Sequence, residues 1–86
     1  MVYSEEYILK KLKEELEADY VKVEDFSDGC GAKFNAIIVS KKFEGVPLLQ
    51  RHRMVNEVLK LEMPDIHAFT QKTLTPEQWE KMQTSG

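Results

Sequence analysis

Residues Glu44 to Leu74, EGVPLLQRHRMVNEVLKLEMPDIHAFTQKTL, decide the fold. Gly45 and Pro47 interrupt whatever precedes them. From Leu48 to Met63 the spacing predicts a helix. On a helical wheel Leu48, His52, Val55, Leu59 and Met63 form one stripe, with Gln50, Arg53, Glu57 and Lys60 opposite. Pro64 stops it, because the residue before a proline is pushed out of helical geometry. DIHAFTQKTL, 65–74, then reads as a strand. A helix joining two strands of one sheet makes them parallel, through a right-handed crossover.

Working outward, KFNAIIVSKKF (33–43) predicts the strand before that helix. Its centre, Ala36 to Val39, is apolar on both faces, as suits the middle of a sheet. DYVKVEDF (19–26) alternates, with Val21 and Val23 on one side and Lys22 and Glu24 on the other, and predicts a hairpin partner. Residues 4–18, SEEYILKKLKEELEA, predict a helix capped by Ser4, with Ile8, Leu12 and Leu16 inward. At the other end Thr75, Pro76 and Gln78 carry the marks of a capping box, and Leu74 and Trp79 those of a hydrophobic staple. Trp79 is thereby read as a docking residue for the last helix. The expected fold is α+β: one small domain over residues 1–86, ordered from about 4 to 82, in the order α-β-β-α-β-α. Its three-stranded mixed sheet carries helices on one face.

The chain has 86 residues, a net charge of −3 and one cysteine. An acidic balance argues against a dedicated nucleic-acid binder. One thiol excludes an internal disulfide and a Cys-only zinc site, and points to a reducing compartment. No apolar run approaches a membrane span. MVYSEEYILKK lacks a signal-peptide core, and Glu5 and Glu6 are unlike a mitochondrial leader. The expectation is a cytosolic protein, small enough to enter the nucleus, with no membrane association.

The residues that could carry chemistry are few. The chain has no Gly-rich phosphate loop, zinc-ligand spacing or nucleophile elbow, so a binding module is favoured over an enzyme. His52 lies on the apolar stripe and is expected to be buried or half-buried with a hydrogen-bond partner. Arg53 falls on the polar face; Arg51 falls at the stripe's edge, where its stem can pack. Cys30 stands in SDGCGAKF between Gly29 and Gly31, ahead of the second strand, and His67 opens the third. If those strands are parallel neighbours, both residues lie at one end of the domain, on strands about 4.8 Å apart. Two such ligands are an incomplete metal site, since zinc and a 2Fe–2S cluster each take about four. On composition alone, a free thiol without a role is the simpler reading of Cys30. A redox role would need a lowered thiol pKa, which Lys33 favours and Asp28 opposes.

FEGVPLLQRHRMVNEVL followed by IHAFTQKTLTPEQW resembles the BolA family signature: a Phe-x-Gly turn, an Arg-His-Arg-x-Val-Asn helix, a His-Ala strand and a Thr-Pro-x-x-Trp cap. The likeness runs from the first helix to Trp79. It implies a fold similar to class II KH domains and a role with monothiol glutaredoxins in cytosolic iron–sulfur trafficking and iron homeostasis. In such a heterodimer or heterotrimer a 2Fe–2S cluster is shared with the glutaredoxin cysteine and glutathione. The resemblance implies His67 as one ligand and Cys30 as the second. Arg51, Arg53 and the segment His67, Ala68, Phe69 would contact the glutaredoxin. A KH-like nucleic-acid module is the alternative, but EGVP has proline where a GXXG loop has its second glycine.

Overall fold

The computed structural model describes residues 3–27 and 31–85. The elements follow the expected order: α1 (Glu5–Glu15), β1 (Tyr20–Asp25), β2 (Lys33–Val39), α2 (Leu48–Val58), β3 (Ala68–Leu74) and α3 (Pro76–Ser85). Short 3-10 turns at Lys41–Phe43 and Met63–Asp65 precede α2 and β3. Cys30, with Asp28 and Gly29, lies outside the described residues.

The sheet order is β1-β2-β3. β1 and β2 are antiparallel, with Val21 opposite Ile38 and Val23 opposite Ala36. β2 and β3 are parallel, from Lys33 opposite Ala68 to Val39 opposite Leu74. The α+β class and the mixed sheet are therefore as the α2 crossover required.

Alternation along the strands sends Val21, Val23, Phe34, Ala36 and Ile38 to one face. There they meet Ile8, Leu12 and Leu16 from α1 and its end, and Val55 and Leu59 from α2 and its end, in one buried cluster. Full burial of side chains of this size contributes on the order of 1.5–3 kcal/mol each. α1 and α2 cover one face of the sheet, as expected. α3 behaves differently. Its Trp79 stacks on Tyr20 with ring centroids 4.9 Å apart, and Tyr20 alternates with the core-facing Val21. Val39 and Leu74, buried on that second face, stand outside the main cluster. The last helix thus wraps the end of the sheet, with Trp79 docking on a strand as expected.

Several element boundaries differ from the sequence reading, the first being that of α1, which ends at Glu15 instead of Ala18. β2 ends at Val39, because buried Ser40 turns the chain: its hydroxyl donates to the Leu16 carbonyl at 2.8 Å and accepts from the Lys42 N–H at 3.1 Å. α2 ends at Val58 instead of Met63, and the chain goes on in tighter turns, the Lys60 and Glu62 N–H groups donating to the carbonyls of Glu57 and Leu59 three residues back. β3 starts at Ala68, the residues around Pro64 having gone into a 3-10 turn. On the predicted stripe Val55 and Leu59 are fully buried and His52 and Met63 half-buried. Leu48, however, is 58% exposed, because an open groove lies between the first turn of α2 and β3.

Candidate functional site

The parallel pairing of β2 with β3 sets their starting ends side by side. Ala32, just before β2, accepts from the backbone N–H groups of both His67 (2.8 Å) and Ala68 (3.3 Å). One residue earlier, Gly31 takes φ +129°, in the region where glycine has no steric competitor. A Cβ placed on Gly31 would stand 3.0 Å from His67 Cβ. Gly31, the first described residue after position 30, therefore lies directly against the histidine.

The neck of that loop is tied. Ser27 Oγ accepts from the Lys33 N–H at 2.8 Å, Phe26 N–H donates to the Lys33 carbonyl at 3.0 Å, and Ser27 N–H donates to Asp25 Oδ1 at 2.8 Å. Hydrogen bonding from Ser27 holds the Asp25 carboxyl below its ordinary pKa. Ser27 and Lys33 are thus fixed against each other, and Gly31 stands beside His67.

His67 itself is exposed, and its ring bonds to no described residue. Ala68 and Phe69 beside it are half-buried. Among the described residues no group of three or more His, Cys, Asp or Glu side chains could hold a metal ion. His67 can offer one imidazole nitrogen there.

The turn that delivers His67 is anchored from behind by residues that the sequence did not flag. Glu62 is only 2% exposed. Its Oε2 accepts from Tyr7 Oη at 2.7 Å and Lys11 Nζ at 2.6 Å, while Oε1 has no partner among the described residues. Tyr3, stacked on Tyr7, donates to Asp65 at 3.3 Å. Burial pushes the Glu62 carboxyl up, but the hydrogen bonds from Lys11 and Tyr7 and the Lys11 charge outweigh it and leave it below its ordinary value. Bonding to Glu62 raises Lys11 and Tyr7 in turn. No periodicity marks such a cluster, since its members lie more than fifty residues apart.

The arginines divide. Arg51 Nε donates to the Val46 carbonyl at 2.7 Å, and Nη1 donates to the Thr73 carbonyl at 3.2 Å and to Gln78 Oε1 at 3.0 Å. Its carbon Cζ lies 5.9 Å from the Phe43 ring centre. Arg51 is a clamp between α2, β3 and α3, at the end of β3 remote from His67. Arg53 is exposed on the outer face of α2. His52 is half-buried as expected, but no described residue supplies the expected partner for its ring. The capping box at α3 is formed: Gln78 Oε1 accepts from the Thr75 N–H at 3.0 Å, and Thr75 Oγ1 from the Gln78 N–H at 3.2 Å.

The family model for BolA-like proteins matches residues 12–78. The chain belongs to the BolA family. It is 58% identical over 80 residues to mouse BolA-like protein 2, covering 92% of this chain and 93% of that protein. A crystal structure of a bol-like protein from Babesia bovis superposes with a TM-score of 0.89 at 49% identity, covering 94% of each chain. A Vibrio cholerae protein named as the DNA-binding transcriptional regulator BolA is 34% identical over 85 residues, covering 91% of this chain and 80% of that one. The BolA signature maps onto two separate places here: its Arg-His-Arg helix carries the Arg51 clamp, and its His-Ala strand carries the exposed His67.

Proposed function

We propose that this BolA-family chain is an iron–sulfur adaptor that shares a 2Fe–2S cluster with a monothiol glutaredoxin in the cytosol, and in the nucleus where its size admits it. His67 would ligate through a neutral imidazole and Cys30 through its thiolate. The glutaredoxin cysteine and glutathione would complete the set. The cluster would supply labile iron and inorganic sulfide for transfer or sensing.

The approach of Gly31 to His67 is the observation that carries this reading. Cys30 precedes Gly31 by one peptide bond, and consecutive Cα atoms lie about 3.8 Å apart. The tie between Ser27 and Lys33 and the approach of Gly31 to His67 are consistent with a second ligand beside the imidazole. The exposed ring, without a partner among the described residues, fits a ligand held ready for a second molecule. His67, Ala68, Phe69 and Arg53 would meet the glutaredoxin. Arg51, with its Nε and Nη1 bonded internally, would hold α2 and β3 in the relation that presents them.

Co-expression with a monothiol glutaredoxin, followed by visible absorption and circular dichroism, tests the reading. A coloured complex is expected whose spectrum changes in both His67→Ala and Cys30→Ala. A colourless complex, or spectra indifferent to both substitutions, would overturn it.

A further inference from the structure

At the end of β3 remote from His67 a cavity of about 570 Å³ opens between β3 and the first turns of α2. Pro47, Arg51, His52, Lys72, Thr73 and Gln78 are on its wall. No aspartate or glutamate lines it, although the chain as a whole carries 15 acidic against 12 basic residues.

Several groups around this cavity lack partners among the described residues. Pro47 precedes α2 and gives it no side-chain cap, so the first N–H groups, from Leu48 to Gln50, end without one. Thr73 is 3% exposed, yet its Oγ1 has no hydrogen bond among the described residues. The outer edge of β3 is unpaired. Leu74 turns its carbonyl to Ser40, toward β2, while Thr73 turns its own to Arg51, away from the sheet. Because this direction alternates along a strand, Phe69 and Gln71 also direct their N–H and C=O outward, where no fourth strand stands. Leu48 and Leu49, 58% and 63% exposed, form an apolar rim.

We propose that this groove binds an extended acidic peptide, added as a strand to the outer edge of β3, with a carboxylate seated at the N-terminus of α2. Strand addition supplies the N–H donors that the Phe69 and Gln71 carbonyls require, which a bare anion cannot. The carboxylate meets the free α2 N–H groups, the Thr73 hydroxyl and Lys72. Apolar side chains of the peptide rest on Leu48. A nucleic acid would need a row of free cations tracking its phosphates, and here Arg51 is already bonded within the chain. The groove is separate from His67, so this proposal stands independently of the cluster reading.

The test uses the whole chain and a short alternating valine–threonine peptide ending in glutamates, followed by amide ¹H–¹⁵N shifts. Saturable shifts are expected at Leu48 to Gln50 and at Phe69 to Thr73. Replacing the glutamates with glutamines, or Lys72→Glu in the protein, should weaken binding about tenfold, with thermal unfolding of the variant unchanged. The proposal is overturned if the peptide shifts neither segment, or if its glutamine form binds equally. It is also overturned if inorganic phosphate alone reproduces all the shifts, or if a DNA duplex binds the same amides more tightly than the peptide.

Discussion

The two ends of β3 are built on opposite terms. At its far end Arg51, Thr75 and Gln78 hold one another and the Val46 and Thr73 carbonyls in a closed set of hydrogen bonds. At its near end the backbone is as firmly held, by Ala32 and by the bonds between Ser27 and Lys33, but the His67 ring has no partner among the described residues. Arginine presents several donors in a fixed fork and suits a permanent clamp. An imidazole with a free nitrogen suits a bond that forms and breaks. The same signature therefore contains one residue group for architecture and one for exchange.

His67→Ala should break this contrast most sharply. It should abolish the visible spectrum shared with a glutaredoxin while moving the urea midpoint by no more than about 0.5 kcal/mol in stability, as an exposed side chain implies. Arg51→Ala should do the reverse. It removes a donor from two carbonyls and from Gln78 and should cost about 2–3 kcal/mol in urea unfolding, with cluster colour retained where the protein is folded.

A matched pair of glycine substitutions sharpens it further. Gly31→Ala combines a positive φ with a Cβ at 3.0 Å from His67, so it should cost about 1–2 kcal/mol and also perturb the cluster spectrum. Gly45→Ala, at φ +73° with nothing within 4 Å, should cost only about 1 kcal/mol and leave the spectrum alone.

The smallest effect concerns acid. Glu62 titrates below its ordinary value of 4.5 in the folded chain, so its stabilising contribution is complete above that pH. It is lost as pH falls through the lower folded value. Denaturation followed between pH 6 and 3 should show a slope that Glu62→Gln reduces. An unchanged slope would show that the buried carboxylate is not the titrating group.

Much of this was legible in the chain. The helical stripe and the strand after Pro64 fixed the parallel pairing, and Thr75-Pro76-x-Gln78 announced its own capping box. His67 could be put at the same end as the second strand's entry from topology alone. Boundaries read less well, because the turns at Ser40 and Met63 depend on contacts with Leu16 and with α1. The exposure of Leu48 was hidden for a similar reason: a wheel shows which way a residue faces, not whether anything packs beneath it.

Local periodicity and punctuation determined element types, their order and the parallel pairing of β2 with β3, since those follow from short-range sterics and from which face is apolar. Only the tertiary structure decided which polar groups would be engaged. Arg51 and Glu62 read as ordinary charges until Thr73, Tyr7 and Lys11 were brought to them across long stretches of chain. His67 is distinguished by the absence of any such partner among the described residues, because that depends on everything packed around it.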